Sequence, residues 1–243
     1  MSALLQAELL KLRTTRTFVT LVGCAVALSL LLTVLGATLD SGLTEEDLLF
    51  LFNSDFTGLF ILLLGVVGMA GEWRHRTITG AVLAAPDRVR FTAAKLLAYA
   101  VAGMVLSLVV TVTIMVVGTV ILAARDEMTL GVADLADILW RNVLVAAYLG
   151  AFGVCVGGIV RNQVVAIVGV LVLSFLVEPA LIGLVPDVGK FGPLGGAPAS
   201  LQRTDFFDEG NLLAPGFAAL VMLAWIGLGF AATAALLRRR DVV

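Results

Sequence analysis

The chain has 243 residues, of which 60% are hydrophobic and only 14% charged, with a formal net charge of −2. With a mean hydropathy of +1.07, it lies outside the range of water-soluble domains and reads as an integral membrane protein, with no nucleic-acid partner expected. The apolar residues run continuously instead of alternating every second position, so helices and not a barrel are implied.

A bilayer core about 30 Å thick takes about 20 apolar residues per helix. Six such runs follow one another, at roughly 17–39, 48–70, 96–124, 139–160, 164–186 and 213–237. The expected fold is therefore all-α, a single transmembrane domain over 1–243, because no linker, low-complexity tract or internal repeat divides it.

Ahead of the first run lies a basic segment, 1–16, with Lys11, Arg13 and Arg16. The run behind it is too long for a signal-peptide core, so an uncleaved first span is expected. Leu5, Leu9 and Leu12 share one side of a helix in this segment, while Leu4 and Leu10 fall elsewhere. In the second run, Asn53, Ser54 and Asp55 interrupt the outer part. They either line an outer vestibule, with Asp55 on the translocation pathway, or supply an N-cap for a helix starting near Phe56, which is the preferred reading. The third run exceeds a perpendicular span and implies tilt or extension past the headgroups.

In the fourth run, Gly150, Gly153 and Gly157 include a GxxxG spacing that lets a neighbouring helix approach closely. Helix packing is the default reading, and a dimer seam the alternative. Cys24 and Cys155 fall inside apolar runs without metal-ligand spacing, so both are assigned to packing and no metal site is expected. Glu178 lies about fourteen residues into the fifth run, or about 21 Å from its start. An ionised carboxylate at that depth is costly, and Pro179 beside it removes a helical hydrogen bond. Glu178 and Pro179 thus mark either a gate or substrate contact, or a carboxylate capping backbone freed by the break. The following external segment, 187–212, mixes apolar patches with Pro, Gly and charge. A non-helical segment at membrane depth has to be buried against protein or a water-filled cavity.

Twelve Lys and Arg residues fall on the side of the termini and only four on the other. The positive-inside rule then puts both termini, and the loop 71–95, in the cytoplasm of a cell whose plasma membrane the chain crosses. Thirteen of the eighteen acidic residues fall on the outer side.

Loop 71–95 has internal order. Glu72 and Arg76 are spaced for a helical ion pair, and Ile78, Ala81, Val82 and Ala85 follow the pattern of a short amphipathic helix that Pro86 stops. Asp87 then suits the first turn of the next helix. A compact cytoplasmic knob and a headgroup-binding loop both fit these features.

The order Glu72, then Arg74, His75 and Arg76, then Thr77, Leu83, Pro86, Arg88 and Lys95 resembles the loop of the type-2 ABC transporter permease family, in which an acid, a Gly-Thr step, a Pro-x-Arg step and a Lys lead into the third span. Arg76 replaces the glycine of that pattern. The resemblance implies a six-span exporter subunit in which Glu72, Arg74, Arg76, Thr77, Pro86, Arg88 and Lys95 form a coupling segment docked on a separate cytoplasmic ATPase. It also implies an N-terminal interfacial helix, a pair of short external re-entrant helices over 187–212, and a dimer with a second copy or a related permease in membrane lipid.

ATP and Mg would be bound by the partner ATPase, because Lys11, Lys95 and Lys190 are each followed by Leu or Phe and none belongs to a P-loop. His75 is the sole histidine, so neither an HExxH site nor a serine–histidine dyad is available, and no catalytic residue or cofactor is assigned to the chain. The alternative is an ATP-independent carrier or a membrane scaffold.

Overall fold

The computed structural model describes residues 2–39, 42–53, 55–75, 77, 87–204 and 212–239, and the regular structure within them is helical. A chain surrounded by lipid has to satisfy its backbone hydrogen bonds internally, and helices do so segment by segment. Helix α1, Ser2–Thr14, is separated by one residue from α2, Arg16–Leu39, the first span. The second span is built from α3, Glu45–Asn53, and α4, Thr57–Arg74. Helices α5, Arg88–Ala124, and α6, Val132–Ile159, are the third and fourth.

The fifth span begins as α7, Gln163–Val172, passes through a π-helical turn, Leu173–Val177, and continues as α8, Glu178–Leu184. Two short helices follow, α9, Pro186–Gly189, and α10, Gly196–Gln202, before the last span, α11, Pro215–Arg239. All six expected spans are present as helices long and apolar enough to cross a membrane.

Caps explain where the spans depart from the apolar runs. Helix α5 starts at Arg88, before the apolar run begins, because the Asp87 carboxylate accepts the N–H groups of Val89 and Arg90 at 3.0 and 3.2 Å. Its 37 residues make a rod about 55 Å long. The break in the second span is bridged similarly: Asp55 Oδ1 accepts from the Thr57 N–H at 2.7 Å, and Ser29 Oγ of α2 accepts from the Phe56 N–H at 3.1 Å. Asp55 thus accepts an N–H of the first turn of α4 from the residue before its N-cap, Phe56, whereas Ser54, Arg76 and residues 78–86, with the expected amphipathic helix and Pro86, lie outside the described residues.

The fourth span is the most enclosed, with 72% of its apolar window buried. Gly150 lies against Tyr99 and Ile61, Gly153 against the backbone of Leu62 and Val66, and Gly157 against Val66 and Met69. The glycine face is therefore filled by α4 and α5 of the same chain, which is the packing role and leaves it no free surface for a dimer seam. A Cβ on Gly153 would meet the Leu62 carbonyl oxygen.

The first span touches the bundle along Ala25, Ser29, Thr33 and Ala37, a row spaced by four. Cys24 lies off that row and is exposed, so it has no packing role within the chain, whereas Cys155 is buried beside Gly229. Segment 187–204 is held against the bundle, as its composition requires. Tyr148 donates its hydroxyl to the Pro193 carbonyl at 2.9 Å, Arg141 donates to the Leu201 carbonyl at 2.6 Å, and Trp225 donates to the Phe191 carbonyl at 2.9 Å.

Candidate functional site

At one end of the bundle, four charged side chains from three helices meet. Lys95, on the second turn of α5, donates to Glu8 Oε2 at 2.7 Å, to Glu72 Oε1 at 2.8 Å and to the Gly68 carbonyl at 3.2 Å. Its ammonium protons are thereby matched by three acceptors. The Phe91 and Tyr99 rings add cation–π contacts, with centroids 5.6 and 5.9 Å away. Lys11 joins from the solvent side, 2.8 Å from Glu8 and 3.4 Å from Glu72.

Lys95 is 1% exposed, Glu8 5% and Glu72 7%, so removing any one charge leaves another uncompensated in a largely enclosed setting. Two lysines against two glutamates make the cluster neutral. Burial pushes the Glu8 carboxyl up, but Lys95 and Lys11 outweigh it and hold it below its ordinary value. Burial likewise pulls Lys11 down, and the Glu8 hydrogen bond with the nearby Glu72 charge outweighs that and raises it.

Helix α1 is seated on the bundle by its leucines. Leu12 is buried, Leu4, Leu5 and Leu9 pack against the core, and Leu10 is exposed. The side containing Leu5, Leu9 and Leu12 is the one expected, and Leu4 joins it. Thr77 turns back onto α4, its N–H donating to the Glu72 carbonyl at 3.0 Å.

Of the other residues assigned to coupling, Arg74 is exposed and reaches Gln163 of α7 at 3.5 Å. Arg88 donates to the Leu237 carbonyl of α11. The charge cluster thus unites Glu72 and Lys95 but not Arg74 or Arg88. It also includes Glu8, which no local motif singles out although it is the lone acid of a basic segment, three residues before Lys11. A cavity of about 560 Å³ opens beside the cluster, bordered by Lys11, Glu72, Arg74, His75 and Thr77.

At the opposite end, Glu178 is 1% exposed. Its carboxylate accepts from the N–H groups of Leu194 at 2.9 Å, Gly196 at 3.2 Å, and Gly195. It caps the start of α10, so the backbone it satisfies belongs to the external segment and not to its own helix. The irregularity in the span is taken up by the π-helical turn, which runs directly into α8 with Pro179 as its second residue.

Asp55 has a different setting. Besides holding the first turn of α4, it accepts through Oδ2 from Ser107 at 3.0 Å and Thr111 at 2.8 Å, both on α5. It borders a cavity of about 500 Å³ whose wall includes Leu59, Leu149, Phe175 and Pro179. Asp55 therefore both holds the first turn of α4 and borders this cavity.

No protein-family model matches the chain, and no curated protein aligns with it significantly. The fold and its two ends define a multi-pass, all-α membrane protein whose six long apolar helices form a bundle.

Proposed function

We propose that the chain is the permease subunit of an ATP-driven ABC exporter, paired with a second permease and driven by a separate cytoplasmic ATPase that holds ATP and Mg. The observation that carries this reading is the charge cluster. Residues 75–87 join α4 to α5, and both roots of that connection meet in it, Glu72 at the end of α4 and Lys95 near the start of α5, with Glu8 of α1 beside them. A displacement of the loop would move three helices as one body, because separating them strands buried charge.

The excess of Lys and Arg puts this end in the cytoplasm, where an ATPase would reach it. Helix α4 connects it to Asp55 at the other end, so a stroke at the loop would switch the outer cavity between two accessible states. Arg74, exposed at the loop root, and Arg76 are the residues expected to meet the ATPase. Reversing both to Glu (R74E/R76E) is expected to abolish ATPase binding in pull-downs from solubilised membranes while the chain still inserts. Normal binding by that variant would reduce the two arginines to lipid-headgroup contacts.

A further inference from the structure

Two buried carboxylates, Glu8 and Glu72, are compensated by lysines, and a third, Glu178, by three backbone N–H groups at a helix start. Asp55, which is partly exposed, has no cationic partner among the described residues. Its partners are the Thr57 N–H and the hydroxyls of Ser107 and Thr111, all neutral donors. Two of these partners are hydroxyls, which donate to a carboxylate or accept from a carboxylic acid, so the arrangement accommodates the ionised form. A partly exposed carboxylate with no positive partner among the described residues is stabilised by a cation that reaches it through the cavity.

The space in front of it is large enough for that partner to be a ligand. The cavity of about 500 Å³ adjoins a second chamber of about 300 Å³, and both are bordered by Asp55, Leu59, Leu149, Phe175 and Leu194. Their walls are mainly apolar, as in sites for small organic molecules. Asn53 borders the second chamber, and its buried Oδ1 has no hydrogen-bond partner among the described residues, adding an acceptor near the negative charge. Ser174 and Phe175, which also face the cavity, belong to the π-helical turn, a strained element often found at functional sites.

We infer that this cavity binds amphipathic organic monocations, with Asp55 as the countercharge and the leucine and phenylalanine walls holding the apolar body. An anion would meet the carboxylate and an acceptor oxygen. A bare divalent metal ion would find one carboxylate, and among the described residues no group of three His, Cys, Asp or Glu is placed to hold a metal. The inference deepens the permease reading by giving its pathway a substrate class, but the binding itself needs no ATPase.

The test is equilibrium binding of radiolabelled tetraphenylphosphonium to the purified full chain in lipid nanodiscs without ATPase, in competition with tetraphenylborate, an ion of the same shape and opposite charge. Saturable tetraphenylphosphonium binding is expected, weakened about tenfold or more by Asp55→Asn and not displaced by tetraphenylborate. Leu149→Trp, which fills the cavity from an apolar wall, is expected to abolish binding without touching the charge. Should Asp55→Asn fail to fold, Leu149→Trp and the borate competition decide the matter.

Equal affinity for both ions, or unchanged binding in Asp55→Asn or Leu149→Trp, would overturn the inference. A chain that recruits an ATPase but does not select the cation loses the substrate class and keeps the permease reading. One that selects the cation but recruits no ATPase keeps the site and loses that reading.

Discussion

Lys95→Met tests the charge cluster directly, because methionine keeps much of the length of the lysine stem and deletes its charge. Lys95 is 1% exposed and bonds both carboxylates at under 3 Å, at 2.7 and 2.8 Å. Without it, Glu8 and Glu72 face each other, largely enclosed, beside the cavity that Lys11 borders. Breaking a buried pair by removing one partner costs about 3–5 kcal/mol. The lower end applies here, since Lys11, whose side chain is 55% exposed, still touches both acids.

About 3 kcal/mol corresponds to a fall in Tm of roughly 6–12 °C for a chain of this size. The assay is thermal unfolding of the purified chain in mild detergent, run beside Glu72→Gln and the double variant. Neutralising Glu72 in the Lys95→Met background removes one of the stranded charges and is expected to recover 1 kcal/mol or more, on the order of a typical coupling between contacting residues. A loss below about 1 kcal/mol, or strictly additive effects, would show that the cluster is solvated and does not clamp the three helices.

Glu178→Gln replaces one acceptor oxygen by an NH₂ that opposes the N–H groups of Leu194, Gly195 and Gly196. A loss of about 1–3 kcal/mol is expected, read as faster hydrogen exchange at those amides, with impaired export and intact complex assembly. Unchanged exchange would contradict the capping role. The seating of α1 should also depend on pH. The folded value of Glu8 lies below its ordinary 4.5, so its contribution is fully present above that value and is lost as pH falls through the lower folded one. Lys11 is raised above its ordinary 10.5, so its smaller, partly screened contribution persists below that value and is lost as pH climbs through the higher folded one. Protection of α1 from protease should be flat near neutrality and fall in acid; a midpoint near neutrality would show that another group controls it.

The spans were legible because bilayer thickness imposes a length and a continuous apolar composition that few other constraints oppose. Their ends do not follow the apolar runs, because capping carboxylates such as Asp87, which accepts two N–H groups, set a helix start without changing its hydropathy. The glycines of α6 announced close packing by their spacing. Which helices they met depended on how the spans were arranged around α6, information that a one-dimensional pattern does not carry. Glu72 offered an obvious local partner in Arg76, which lies outside the described residues, and its carboxylate meets Lys95 and Lys11, across 23 and 61 residues of chain. Glu8, Ser107 and Thr111 were hidden for the same reason. Each is unremarkable in its own segment and acquires its role only through a side chain distant in sequence.

The central claim is that this bundle is moved by an ATPase it does not contain. Affinity purification of the tagged chain from its native host in mild detergent, with mass spectrometry of what accompanies it, tests that claim most directly. The account predicts a stoichiometric P-loop ATPase. Reproducible recovery of the intact chain without one would contradict it and turn the same cavity and charge cluster into parts of an ATP-independent carrier or scaffold.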